Sequence, residues 1–108
     1  MAQFLVQVAY TSEAWATLVK SPQNRIPAVS TVVQKLGGQL LHGWLSFGDY
    51  DTAVVMEMPD NVSAAAFAAA IAAGGACKSI KTTPLLSADE GVAAMKKAGT
   101  SGYQPLGK

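Results

Sequence analysis

The residues able to do acid–base, nucleophilic or metal chemistry are few. Within 108 residues there is one His, His42, and one Cys, Cys77. An imidazole titrates near neutrality, so His42 could serve as an acid, a base or a ligand. Glu57 could act as a base if burial raised its pKa. Each also has a plain structural reading. His42 beside Trp44 could be an interface residue with one satisfied hydrogen bond, and Glu57 could pair with Lys81 or Arg25. Cys77 reads as a small packing residue, because no basic neighbour is assured that would lower its pKa. One His and one Cys fall short of the four ligands of a closed zinc site. No metal and no cofactor are therefore expected, unless subunits share a metal. Asp49 and Asp51 stand two apart in a turn and would make a weak cation site without further oxygens. Asp side chains in turns usually bond their own backbone. No Gly-x-Gly-x-x-Gly or Gly-Lys-Ser/Thr loop is present, and no nucleophile elbow accompanies His42.

The elements that would position these residues follow from periodicity. Residues 4–10 form a β-branched and aromatic run that reads as a first strand. Thr11, Ser12 and Glu13 can cap a short helix over 14–20 that carries Trp15, Leu18 and Val19. From Ile26 the apolar positions Val29, Val32, Val33 and Leu36 have amphipathic helical spacing. Pro27 either starts that helix or kinks its first turns. Gly37 and Gly38 end it.

Residues 39–47 and 52–58 read as a hairpin around Gly48, Asp49, Tyr50 and Asp51. Pro59, Asp60 and Asn61 then cap a helix over 62–73, whose stripe is Ala64, Phe67, Ala68 and Ile71. Residues 77–86 contain a fourth strand. Ser87 and Glu90 form a capping box for a last helix to about residue 98. The tail, 99–108, is Gly-rich, and the domain itself is expected over 1–98.

The order β-α-β-β-α-β is the split pattern of a ferredoxin-like α+β fold with a four-stranded antiparallel sheet. Both long helices would cover one face and leave the other open. Alternation puts Phe4, Val6, Val8, Leu41, Leu45, Phe47, Val54, Met56 and Ile80 under the helices. Leu5, Gln7, Ala9, His42, Trp44, Ser46, Ala53, Val55, Glu57, Cys77, Ser79 and Lys81 would share the open face. A single-residue slip in any strand would reverse its share.

Composition narrows the functional classes. Eight Lys and Arg against seven Asp and Glu leave a formal charge of +1, without the basic excess of a nucleic-acid binder. Half the residues are hydrophobic and 14% are charged, the reverse of a disordered chain. Nineteen residues are Ala, which adds apolar character without bulk. A single Cys allows no internal disulfide. The first residues lack the basic and apolar regions of a signal peptide. The longest apolar run, 64–73, is too short to cross a bilayer. A soluble cytoplasmic protein is expected, with no membrane or nucleic-acid partner. So few charges on so small a body suggest that a second copy covers part of the apolar surface.

Gly48, Asp49, Tyr50 and Asp51, followed by an apolar strand ending in Glu57, Met58, Pro59 and Asp60, resemble the GYD-domain family. Tyr10 and Thr11 after the first strand, Ser21 and Pro22 with Arg25, Leu36 before Gly37 and Gly38, and Gly75 before the last strand also match. So do Thr82, Thr83 and the box from Ser87 to Glu90. The resemblance covers about residues 3–97. It implies a small bacterial ferredoxin-like protein related to stress-responsive dimeric α/β barrels, with no assigned general reaction. Family-characteristic residues fall at Arg25, Gly48, Tyr50, Asp51 and Glu57. In the turn, Gly48 can take a positive φ and Asp51 can accept backbone hydrogen bonds. Tyr50 has an apolar ring with a polar tip, which suits a subunit boundary. Pro27 and the tail with Tyr103, Gln104 and Pro105 depart from the family pattern, and the tail could reach a neighbouring subunit.

The leading functional expectation is a homodimer or higher homo-oligomer that binds a small molecule. The pocket would lie at the open sheet face or subunit interface, lined by Gln7, His42, Trp44, Glu57 and Lys81. One alternative is a small dimeric α/β-barrel enzyme using His42, such as an isomerase or a cofactor-independent or haem-dependent oxygenase. The other is a structural protein whose function is self-assembly.

Overall fold

The computed structural model describes residues 1–107. The elements run β1 (Ala2–Tyr10), α1 (Ser12–Lys20), α2 (Ile26–Lys35), β2 (Gln39–Leu45), β3 (Thr52–Met58), α3 (Asn61–Ala73), β4 (Cys77–Leu85) and α4 (Ala88–Ala98). The expected tail begins beyond α4, and Lys108 lies outside the described residues.

Local chemistry sets the helix starts. Thr11 Oγ1 accepts from the Ala14 amide at 3.1 Å, so α1 begins two residues earlier than periodicity indicated. Asp60 Oδ1 accepts from the Ser63 amide at 2.8 Å and caps α3. Pro27 is the second residue of α2. It starts the helix and does not kink it, because the missing N–H costs nothing in a first turn. Asn24 Oδ1 takes the adjacent Ile26 amide at 3.0 Å. The predicted capping box of α4 is present, with Ser87 N bonded to Glu90 Oε1 at 2.9 Å and Glu90 N to Ser87 Oγ at 3.1 Å.

The sheet is antiparallel in the order β2-β3-β1-β4, the ferredoxin-like arrangement. The core lies between its covered face and α2 and α3. Phe4, Val6 and Val8 of β1 and Val54, Met56 and Met58 of β3 pack with Val33 of α2 and with Ala64 and Phe67 of α3. Gly38 lets the end of α2 lie against β3. A Cβ there would collide with the Glu57 carbonyl oxygen and the Met58 sulfur.

Two bulges correct the expected sorting of faces. In β2 the register shifts between Leu40 and His42, so Leu40 faces Met56 and packs on the core in place of Leu41. In β4 the register shifts so that Tyr10 faces Cys77 while Ala9 faces Ser79. That extra residue carries Cys77 to the helix-covered side. A bulge inserts one residue and inverts the alternation before or after it. Leu45 keeps its place on the helix side, opposite Thr52 and lining the cavity beneath α1, but is 68% exposed, whereas Phe47 lies beyond the end of β2 and is 97% exposed. Ala9 is fully enclosed although it shares the register of the open face.

The last helix stands apart. No residue of α4 is buried, and Met95 is 72% exposed. The molecule measures 57 × 34 × 22 Å with a radius of gyration of 17.3 Å. A compact chain of this length would have about 13 Å. No helix among the described residues is long and apolar enough to cross a membrane.

Candidate functional site

The open face assembles the five expected residues into rows. Trp44, Ala53, Gln7 and Lys81 face one another across all four strands. His42, Val55, Leu5 and Thr83 form the next row. Gln39, Glu57, Gln3 and Leu85 form the one after it. His42 and Trp44 stack with ring centroids 5.3 Å apart at 14°. His42 and Glu57 are diagonal neighbours on adjacent strands, a spacing of about 7–8 Å between backbones. Two rows, about 13 Å along the strands, separate Glu57 from Lys81. Arg25 lies on the opposite side of the sheet. The pairing of Glu57 with Lys81 or Arg25 is thus not formed. This surface is a flat display of side chains, with Trp44 53% exposed.

A hollow of about 570 Å³ touches this face only at its end, at Gln3 and Leu85, and the cavities that border the core lie on the other side of the sheet. A cavity of about 250 Å³ opens between the covered sheet face and the helices, walled by Val6, Val54, Phe67, Ile71 and Cys77. A second, of about 190 Å³, adjoins it under α1 and the start of α2, against Trp15, Leu18 and Ile26. Tyr10, Arg25, Val29 and Thr52 line both. None of Gln7, His42, Trp44, Glu57 or Lys81 lines either.

Few polar groups reach this cleft. Thr52, buried in the sheet, donates from Oγ1 to the Tyr10 hydroxyl at 3.0 Å, leaving the Tyr10 proton free to donate. Arg25 stands just before α2 and donates from Nη1 to Gln23 Oε1 at 3.2 Å. Cys77 contributes a thiol whose pKa is pushed up by burial, so it stays protonated at neutral pH. Among the described residues, no carboxylate and no imidazole lines the cleft.

Asp51 braces the rim. It is not satisfied by its own turn, as Asp residues in turns usually are. Its Oδ2 accepts from the Tyr10 amide at 2.9 Å, and its amide donates to the Val8 carbonyl at 2.7 Å. Tyr10 in turn meets Trp15 edge-on, with ring centroids 5.5 Å apart. Gly48 has φ +135° in the same turn, as its place there required. Of the candidate chemical and family-characteristic residues, Arg25 and Cys77 line this cleft and Asp51 braces its rim. Tyr10 and Thr52 carried no functional signal, because their juxtaposition depends on register between strands that are 42 residues apart in the chain.

Sheet order and helix placement define a ferredoxin-like α+β domain with a cleft beneath its helices. A GYD domain model matches residues 4–95, and the chain belongs to that family. Solved structures share the fold at low sequence identity. TTHA0845 from Thermus thermophilus matches with a TM-score of 0.55 at 15% identity, over 82% of this chain and 96% of the other. FFRP-DM1 matches with a TM-score of 0.51 at 13% identity, over 80% and 100%. MtbAldR matches with a TM-score of 0.55 at 16% identity, over 80% of this chain and 52% of its own. At these identities the likeness concerns the fold. No curated protein matches the chain.

Proposed function

We propose that the protein is a self-associating module that binds a small molecule in the cleft between its helices and its sheet. The observation that carries this reading is the pair of adjoining apolar cavities that border the core. Ligand sites are typically concave, mostly apolar and supplied with a few convergent polar groups. Tyr10, Arg25 and Thr52 meet that description. Binding is favoured over acid–base turnover because, among the described residues, neither His42 nor any carboxylate lines the cleft.

The open sheet face supports self-association. Leu5, Val55 and Trp44 present apolar surface there, and antiparallel sheets of this kind are stable when that face is covered. A second copy placed sheet to sheet would cover it and leave the cleft accessible from the helix side.

A fragment library tests the binding, read by thermal shift and by the rate of Cys77 alkylation. Compounds that raise Tm should also slow alkylation, since Cys77 lines the larger cavity. Hits that stabilise the fold and leave both Cys77 reactivity and Trp15 fluorescence unchanged would place binding outside both cavities and refute the reading.

A further inference from the structure

The cleft has a one-sided chemistry. Its walls are aliphatic and aromatic, and among the described residues its only charged side chain is the guanidinium of Arg25. The side-chain partner of that guanidinium is the neutral amide of Gln23. Asp51, which touches Tyr10 and Trp15 at the rim, gives its Oδ2 to their two N–H groups and does not line the cleft. Because Thr52 donates to the Tyr10 oxygen, the Tyr10 O–H also offers a proton. Two donors, one of them cationic, thus face an apolar chamber without an opposing carboxylate. A guanidinium fork matches a carboxylate in geometry as well as charge.

We infer that the cleft selects small apolar carboxylates, with the ligand carboxylate on Arg25 and Tyr10 and its hydrocarbon part against Phe67, Val54 and Ile71. This rests on the cleft being the binding site. Size limits the ligand. A dry cavity of about 150 Å³ accommodates benzene. The larger chamber here, about 250 Å³, suits one aromatic ring with a short acid arm. Arg25 lines both cavities, so the acid group lies between them and the ring enters the larger one.

The experiment compares benzoate and phenylacetate with benzamide and phenylacetamide, which have nearly the same shape without the charge. Affinities are measured by calorimetry on the full chain, and Cys77 alkylation reports occupancy. The acids should bind about ten- to a hundredfold more tightly than the amides, as a charge-assisted hydrogen bond implies. Arg25→Gln should remove that preference, and Arg25→Lys should retain part of it. Arg25 is exposed and precedes the helix, so both variants should keep the wild-type circular dichroism spectrum. Acids and amides that bind equally and both protect Cys77 would overturn the carboxylate selectivity and leave the cleft standing as a binding site. A preference that survives Arg25→Gln would overturn the role of Arg25. Failure of all four compounds to bind wild-type protein or protect Cys77 would overturn the inference for this ligand class. If the fragment library also yields no Cys77 protection and no change in Trp15 fluorescence, the cleft reading falls with it.

Discussion

The indole Nε1 of Trp15 donates to Asp51 Oδ2 at 3.3 Å across 36 residues of chain. The same oxygen accepts the Tyr10 amide, which lies two residues beyond the last β1–β3 pair, Val8 with Thr52. A side chain thus extends the ladder where the partner strand has ended, and it holds α1 over the rim of the cleft. Asp51→Ala should cost about 1.5–3 kcal/mol, the range for hydrogen bonds to a charged group. Chemical denaturation measures that loss. Trp15 should also change its fluorescence maximum as its N–H loses this partner, and Trp44→Phe removes the second indole from the signal.

Gly38→Ala should destabilise the fold through overpacking, since the added methyl would meet the Glu57 carbonyl oxygen and the Met58 sulfur. The expected loss is about 1–3 kcal/mol, seen as a lower urea midpoint with an unchanged slope. Gly91 is a useful control, because a Cβ there meets nothing within 4 Å. Gly91→Ala lies inside α4 and should increase helicity slightly.

The start of α4 should respond to acid. The Ser87 backbone amide, then its hydroxyl, hold the Glu90 carboxyl below its ordinary value. A depressed pKa in the folded state gives stabilisation that is complete above the unfolded value of about 4.3 and lost as pH falls through the folded one. Because α4 buries no residue, this loss should appear as fraying of one helix. Amide exchange in residues 88–91 should accelerate on acidification below about pH 4, after correction for intrinsic rates. Glu90→Gln should flatten that response.

Trp44→Glu should weaken the proposed self-association. Trp44 stands on the open face with 53% of its surface exposed, stacked on His42. Light scattering after size exclusion should give a dimer or larger species for the wild type and a shift toward monomer for the variant. The circular dichroism spectrum should be unchanged, since the residue contributes nothing to the core. A wild-type monomer at micromolar concentration would refute the assembly.

Much of the architecture was legible in local pattern. Alternation in residues 52–58 delimited β3, and the 3, 4, 7 spacing from Ile26 located α2. The Ser87 and Glu90 box located the start of α4 because a capping box acts within one turn. The open-face set of Gln7, His42, Trp44, Glu57 and Lys81 was likewise readable, since side-chain direction in a strand has period two.

Bulges marked the limit of that reading. Nothing in the run from Gln39 to Leu45 announces that Leu40, and not Leu41, packs inward, or that Cys77 crosses to the helix side. A bulge is decided by the fit of two strands, and each one inverts a pattern that is otherwise local.

Sequence by itself thus determined the order of elements, the family and one apolar face too many for a closed domain. Only the tertiary structure decided where a cavity lies and which polar groups reach it. Tyr10, Arg25, Thr52 and Cys77 belong to four separate segments and become neighbours when strand register and helix placement are set together. Register and packing are properties of pairs of segments, so residues that acquire a shared chemistry through them carry no mark of it along the chain.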